Sequence, residues 1–526
     1  MNPRPKQNLP EMMPRCVSRL LPATIVVLLS ACAPVGPDFV RPEVPVNPAW
    51  LDAELEAFRT DAAELEEWWR VLEDPVLDEL IATARRENNT LEIAGLRVLA
   101  SQAQLNIAVG NRYPQQQVLA GDLSAIGVSE SSANSDTTDT NYTQLNAGAS
   151  VVWEIDFWGR FRRGIEAADA GLQASIANYD EALVILTAQV ADVYALIRAT
   201  EEQLRLARDS YAIQKRSYDI AEVLFRNGSS SELDALQART QLLGTAAVIP
   251  ELETTLRQLQ NALAVLLGRT PGNVDEVLKG EGSLPDIPDS VAIGIPANLL
   301  RQRPDVRRAE LQALAQNALV GVAQANLYPS FTLTGTIGLT AAEGTSSTSS
   351  GESGAEQLFS SDSFGYSIGP TFVWPFLNYG RIRNNVRVED AQLQQALIAY
   401  RETVLTAYRE VEDAIAGLVG ARKQDRILAE GVDAAQRAAE LSLLRYQEGF
   451  ADYQRVLDSQ QALFAQQQRY ATNRGNVMRS FVALYRGLGG GWQLGVPTEY
   501  IDDETRQQME ERTNWGDVLD NPPVRR

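Results

Sequence analysis

Two stretches of the chain, 115–249 and 376–496, run for more than a hundred residues without a proline. Proline lacks a backbone N–H and clashes with the preceding turn, so it is the residue that most reliably ends a helix. Its absence permits helices of unusual length, and the apolar pattern uses that permission. Tyr179, Leu183, Leu186, Val190, Val193 and Ile197 alternate in steps of four and three. Thr200, Leu204, Ala207, Tyr211, Gln214, Tyr218, Ala221 and Phe225 continue the same rhythm. A 3.5-residue repeat sustained this long is coiled-coil periodicity. A helix from about Phe157 to Phe225 would be roughly 100 Å long at 1.5 Å per residue, more than a globular core requires.

The pattern is written twice. Tyr400, Val404, Ala407, Val411, Ala414 and Leu418 lie 221 residues after the first six-residue run begins, and Tyr446 falls on the same offset. That offset also carries Trp153 to Trp374, Gly159-Arg160 to Gly380-Arg381, and FRNG at 225–228 to YQEG at 446–449. RYP at 112–114 recurs as LYP at 327–329, six residues short of the offset, which places an insertion or deletion in the loops. This is an internal duplication. We expect a first structural repeat over 71–290 and a second over 291–492.

Between the YP and the Gly-Arg pair, each half carries two strand-like runs. Leu145, Ala147, Ala149, Val151 and Trp153 alternate with Gln144, Asn146, Gly148 and Ser150. Phe331, Leu333, Ile337 and Leu339 do the same, as do Phe364, Tyr366, Ile368, Phe372 and Trp374; the run Val118 to Val128 alternates less cleanly. About ten alternating residues with aromatics at one end is the period of a membrane barrel strand, although one face of a soluble sandwich alternates too. Four strands cannot close a barrel, for which about eight are the minimum, and open edges are untenable in lipid. Several copies must then combine, and three would supply twelve strands. Polar loops at 129–142 and 340–362 join the strands.

The strands meet the long helices at VVWEIDFWGR (151–160) and TFVWPFLNYGR (371–381). Trp153 and Trp374 end the alternation, and Trp158 and Tyr379 are candidates for a membrane–water boundary. Gly159-Arg160 and Gly380-Arg381 open the helices. Glu154 and Asp156 admit a second reading, a glycosidase-like carboxylate pair. Each helical stretch is also broken once, at RNGSSSELD (226–234) and QEGFADYQRVLD (447–458). A glycine followed by small polar residues and a new apolar rhythm reads as a hairpin. It is either a plain turn or a tip offered to a partner, with Asp452 a candidate for a constriction ring.

The N-terminus reads as a secretory signal: Arg15 and Arg19, the apolar run 20–29, then LLSAC ending at Cys32. Ten apolar residues are too few to span a bilayer but suit a signal core. Either 1–31 is a lipoprotein signal peptide and Cys32 is lipidated, or the signal is an ordinary one and the cysteine incidental. The proline-rich stretch from Ala33 to Trp50 reads as an extended tether, within a segment 32–70. The last residues, 493–526, form an acidic tail.

Composition excludes much chemistry. The chain has no histidine and two cysteines, Cys16 and Cys32, so zinc sites and thiol nucleophiles are not expected. No P-loop or dinucleotide fingerprint is present. With 47 Lys and Arg against 68 Asp and Glu, nucleic acid is not an expected partner. The acidic excess is either a solvated surface or the lining of a passage that favours cations. We expect no catalytic residue, metal or cofactor.

Four segments resemble one family, the outer-membrane efflux factors of the TolC/OprM type, in their NodT-like lipoprotein branch. They are VGPDFVRPEVPVNPAW after Cys32, WWRVLEDPVLDELIATARRENNTLEIAGLRV, the stretch 295–335, and ALYRGLGGGW at 483–492. The resemblance covers almost the whole chain after the signal. It implies a mainly α protein with a membrane β-barrel part: four barrel strands per chain and a long coiled-coil helical tunnel. Three chains would close a twelve-stranded barrel and a twelve-helix tunnel. It implies lipid on Cys32 and a place in the outer membrane of a Gram-negative bacterium, reaching into the periplasm. The activity implied is passive conduction of drugs or other small solutes. They would come from an inner-membrane transporter of the resistance-nodulation-division class through a periplasmic adaptor. Arg226, Asn227, Gly228, Ser229 and Ser230, with Glu448, Gly449 and Phe450, would then be the tips that meet the adaptor and constrict the tunnel, and Asp452 would sit at the gate. A periplasmic adaptor-like or structural coiled-coil lipoprotein is the competing class, and a lipid-anchored hydrolase a third.

Overall fold

A computed structural model describes residues 34–525 apart from 53, 56, 60, 62–64, 130, 132–139, 273, 280–281, 295, 345–357 and 494–499. The signal 1–31, Cys32, most of the two polar loops and the start of the C-terminal tail lie outside the described residues. The chain divides into two compact units. Of the described residues, one unit holds 34–40, 103–171 and 313–396, and the other holds 41–102, 172–312 and 397–525.

The first unit is built on one four-stranded antiparallel sheet, in the order β2 (Gln116–Gly127), β3 (Asn141–Ile155), β5 (Ser330–Gly344), β6 (Phe364–Val373). Its register sorts the alternating residues onto two faces. Leu119, Ala149, Ile337 and Tyr366 stand in one cross-strand row, and Ala147, Leu339 and Phe364 in another. The opposite face carries Asp122, Asn146 and Thr340 in a row, and Ser150, Thr336 and Ser367 in another. The apolar face is bare: Leu119 is 87% exposed, Tyr366 75% and Ile368 72%. A soluble sandwich would bury these side chains at about 1.5–3 kcal/mol each, so that alternative is not what the sheet is built for. On the polar face Gly148, Gly338 and Gly365 lie side by side. A Cβ on Gly148 would come within 2.7 Å of the Ile337 carbonyl, so this row lets the strands approach closely.

Each strand pair feeds a long helix. Helix α3 (Arg160–Arg226) and helix α8 (Arg381–Gln447) are both 67 residues long, and α4 (Glu232–Leu266) and α9 (Tyr453–Gly487) are both 35. All four keep the 221-residue offset. The helices that precede the strands, α2 (Asn89–Gly110) and α7 (Pro304–Ala325), are both 22 residues and keep the shorter offset of the YP motifs. The heptad positions are the buried ones. Leu183, Leu186, Val190, Ile197, Leu204 and Ala207 are at most 5% exposed, and Tyr400, Val404, Ala407, Val411 and Leu418 likewise. Val193 and Tyr211 are half-buried, and Phe225 at the end of the stripe is exposed. Helix α4 runs through Pro250 without ending.

The helical pattern that starts near Pro75 and stops at NRYP (111–114) is two helices: α1 (Pro75–Glu87) and α2. Asn88 between them is extended, its side chain accepts from the Leu91 amide at 2.9 Å, and its amide donates to the Leu266 carbonyl. A capping side chain with a tertiary partner stops one helix and starts the next. The acidic tail packs against α2 where it is described. It forms α10 (Asp503–Arg512) and α11 (Asp517–Asp520), and Met509 and Leu519 form a cluster with Leu99 of α2.

The second unit has its core where α1, α3, α4, α8 and α9 meet, with Leu77, Leu80, Tyr194, Ile197, Leu263, Ile415 and Phe481 fully buried. The remaining small elements are β1 (Phe58–Arg59) pairing β4 (Val291–Ala292) in parallel, α5 (Asp275–Leu278) and α6 (Pro296–Gln302). Two of the sequence signatures meet here. Trp68 stacks on Tyr485 at 5.1 Å, the Gly491 amide donates to Leu65, and Arg85 donates to the Gly491 carbonyl. Gly489 and Gly491 have positive φ, which the sharp turn beneath Trp68 requires.

Candidate functional site: the junctions and the hairpin tips

At the first junction the chain leaves β3 and enters α3 through a compact ion-paired turn. Arg160 pairs with Glu154 at 3.0 Å and Arg162 with Asp156 at 3.3 Å. Asp156 also accepts from the Phe161 and Arg162 amides, so it satisfies open backbone donors at the start of the helix. The two carboxylates are thus engaged in starting a helix. The indoles are fixed by backbone acceptors: Trp153 donates to Arg112 at 3.3 Å, and Trp158 to Pro329 at 2.7 Å while stacking on Tyr328 at 4.5 Å. Gly159, at φ +77°, is covered by Pro34, whose Cβ would lie 2.4 Å from an added methyl.

That contact belongs to a docked N-terminal strap. The Val35 amide donates to Trp158, Arg163 bonds Val35 and pairs with Asp38 at 2.8 Å, and Asn317 donates to Pro37. In the second unit, Trp50 stacks on Tyr408 at 5.2 Å and donates to Ile293. The stretch is extended, and its prolines leave it few intramolecular bonds of its own, but side chains along α3, α7 and α8 hold it. Nothing in its own composition signals those partners.

The second junction repeats the tryptophan contact and little else. Trp374 donates to Leu327 at 3.2 Å, the counterpart of Trp153 on Arg112. Gly380 has φ +81°, but an added methyl there would meet only the Asn384 amide at 3.6 Å. Tyr379 has φ +49° and is 99% exposed. Arg381 carries no ion pair among the described residues. A cavity of about 550 Å³ lies between the two junctions, lined by Glu154, Trp158 and Tyr328 from one side and by Arg381 and Asn384 from the other.

The hairpin turns are near copies. After Arg226 the chain turns on Gly228 (φ +73°), with the Ser229 amide donating to Leu224; after Gln447 it turns on Gly449 (φ +78°), with the Phe450 amide donating to Arg445. Both are αL helix stops with the long bond of a Schellman motif. The new helices start on caps. Ser231 and Asp234 form a capping box, and Asp452 accepts from the Arg455 amide at 3.3 Å. Arg226 pairs with Glu222, Asn227 and Glu448 are exposed, and Phe450 is 81% exposed. Ser229 is exposed and Ser230 is half-buried. The two turns come together. Tyr446 meets Tyr453 edge-on at 5.0 Å, in a cluster with Ala221, Ala238, Val456 and Leu457.

The family model for outer membrane efflux proteins matches residues 80–269 and 295–490. The chain belongs to that family. Two matched spans fall on the two copies of the duplicated pattern. Among curated relatives, the pyoverdine export outer membrane protein OpmQ of Pseudomonas putida is 31% identical, covering 84% of this chain and 92% of its own length. The toluene efflux pump outer membrane protein TtgF of Pseudomonas putida is 33% identical, covering 90% and 96%. The solved outer-membrane channel OprN is 30% identical with a TM-score of 0.80, covering 87% of this chain and 99% of that one. As an outer membrane efflux protein, the chain is the outer-membrane channel component of an efflux system that works with an adaptor and an inner-membrane transporter. This family assignment places the bare apolar sheet face in a membrane protein, where lipid is its natural solvent.

Proposed function

We propose that three copies of this chain close into a twelve-stranded barrel continuous with a twelve-helix periplasmic tunnel, and that small organic solutes pass through it. The observation that carries this reading is the open four-stranded sheet. Strands β2 and β6 are its edges, its apolar face is exposed, and α3 and α8 leave from its strands. Unpaired strand edges cost several kcal/mol per orphaned group in lipid, so the edges demand partners of the same kind. The cargo class follows from relatives named for export of pyoverdine and of toluene. These share little beyond being small organic molecules, which suits a conduit that accepts what a pump hands over. The pump we expect is of the resistance-nodulation-division class.

In this reading Cys32 carries lipid. Pro34, two residues on, rests on Gly159, so the acyl chains would enter the bilayer at the first junction. Trp153, Trp158, Trp374 and Tyr379 would mark the membrane boundary. The exposed turn residues around Gly228 and Gly449, with Phe450 foremost, would meet the adaptor. Asp452 would contribute to the constriction from its position at the cap of α9. The test is the purified protein in planar bilayers. A trimer with single-channel conductance is the expected result, and a monomer that conducts nothing would refute the reading.

A further inference from the structure

The two junctions are duplicated in sequence but differ in charge: the first is neutral and the second is positive. In the first, every arginine of RFRRGIE is neutralised: Arg160 by Glu154, Arg162 by Asp156, and Arg163 by Asp38 and Glu166. In the second, 221 residues on, Pro375 and Leu377 stand where those carboxylates stood, and Arg387 stands where Glu166 stood. The copy RIRNNVR therefore places Arg381, Arg383 and Arg387 on an exposed surface, none of them paired with a carboxylate among the described residues. Arg383 and Arg387 are one helical turn apart, a like-charge spacing that weakens a helix unless an anion lies between them. A cationic cluster of this kind is out of character for a chain with 68 acidic residues against 47 basic.

The surface beside it is apolar. Trp374, Phe376 and Leu377 are 53%, 70% and 72% exposed, and Tyr379 is almost wholly so. Tyr379 also sits in the left-handed region, which strains a bulky residue and gains it no ring contact among the described residues. Among the described residues, the strap that covers Gly159 has no counterpart over Gly380.

We infer that the second junction is a phospholipid site. Arg383 and Arg387, one turn apart on the same face of α8, take the phosphate of an anionic headgroup, and Trp374, Phe376 and Tyr379 lie along its glycerol and upper acyl chains. The pairing is chemically matched. Guanidinium groups bind phosphate oxygens in forked geometry, and basic clusters beside membrane segments select anionic lipid. The first junction is tied to the bilayer through the strap leading back to Cys32; the second is tied by lipid it does not own. This rests on the proposed placement of the junctions at the membrane boundary.

The experiment uses the detergent-purified full chain, delipidated and then exposed to phosphatidylglycerol or phosphatidylcholine, with bound lipid counted by native mass spectrometry. Phosphatidylglycerol should be retained in preference. Arg383→Gln with Arg387→Gln should cut its occupancy roughly tenfold, while the corresponding Lys pair keeps most of it, since each basic group contributes a few-fold. Inorganic phosphate should not displace it. Equal retention of the two lipids, no loss in the Gln pair, or full displacement by phosphate overturns the site. So does dissociation of the oligomer in the Gln pair, because the arginines would then serve a neighbouring copy. An environment-sensitive probe on Tyr379→Cys separates the underlying placement. If the probe reports bulk water, the boundary reading falls and the lipid site with it. If it reports an interface while lipid preference is absent, only the lipid site falls.

Discussion

At the residue scale, the same side chain does different work according to what covers it. Gly159 and Gly380 share a left-handed backbone, but Pro34 crowds the first, while an added methyl on the second would make only an ordinary contact with the Asn384 amide at 3.6 Å. Gly380→Ala should therefore cost only the conformational penalty, about 1 kcal/mol, whereas Gly159→Ala must also displace the strap. The expected signature is faster proteolysis of the N-terminal strap in Gly159→Ala alone; equal cleavage in both would show that the strap is not held there. Asp180 makes the second case. It lies in α3, well outside the strands, and is 2% exposed. Burial pushes its carboxyl up to about 6, against the opposing pull of Arg525, with which it is paired, and of Arg307. An acid whose pKa is raised in the folded chain binds its proton more tightly there than when unfolded. Its contribution to stability is thus complete below about pH 4 and is lost as pH rises to about 6, by up to about 3 kcal/mol. Asp180→Asn should flatten that slope in denaturation curves taken between pH 4 and 7, and an unchanged slope would move the titration elsewhere. Neither contact was legible in the sequence. Pro34 and Gly159 are far apart in the chain, as are Asp180 and Arg525, and neither pair forms a local pattern.

At the element scale, legibility follows periodicity. The heptad positions Tyr400 to Leu418 were readable because each contributes to one repeating stripe, and each is buried. The strand faces were readable for the same reason, and β2, whose alternation is poor, was the least defined. What periodicity cannot show is a stop set by tertiary contact. Asn88 divides a continuous apolar pattern because its amide reaches Leu266, and α10 is a short, highly polar helix held by Met509 against α2. The strand register makes a sharp prediction. Val151 stands in the apolar row with Gly335 and Ile368, and Ser150 in the polar row with Thr336 and Ser367. Val151→Arg, two residues into the strand from Trp153 at the proposed boundary, should hinder membrane assembly by about 1–2 kcal/mol, and Ser150→Arg by much less. Folding yield into vesicles, measured by heat-modified gel mobility, checks the pair. Equal effects would mean that both faces see water.

At the scale of the whole molecule, the duplication explains why one chain cannot complete itself. Each repeat supplies two strands and its share of helix, and two repeats leave a sheet with two open edges. The helices carry the same incompleteness. Besides its buried stripe, α8 exposes a second apolar series: Ile398 and Leu405 seven residues apart, then Ile427 and Leu441 fourteen apart. Ile427 is 70% exposed, in a helix that is otherwise strongly polar on its outer side. The step from Leu405 to Ile427 is 22 residues, so the four keep no single heptad phase, but at 100° per residue they share one face of α8, and in the proposed trimer that bare apolar face would be the seam against another copy. Burying one such isoleucine is worth about 1.5–3 kcal/mol, and a ring of three copies buries three at once. Ile427→Asp places a carboxylate in each of those contacts, while Gln436→Asp, at an exposed position nine residues on and on the opposite side of α8, changes charge off the seam. The expected outcome is loss of the trimer in Ile427→Asp and its retention in Gln436→Asp, read by light scattering on the detergent-purified protein. If both variants stay trimeric, the seam lies on another face, and the exposed series on α8 faces water in the assembled molecule.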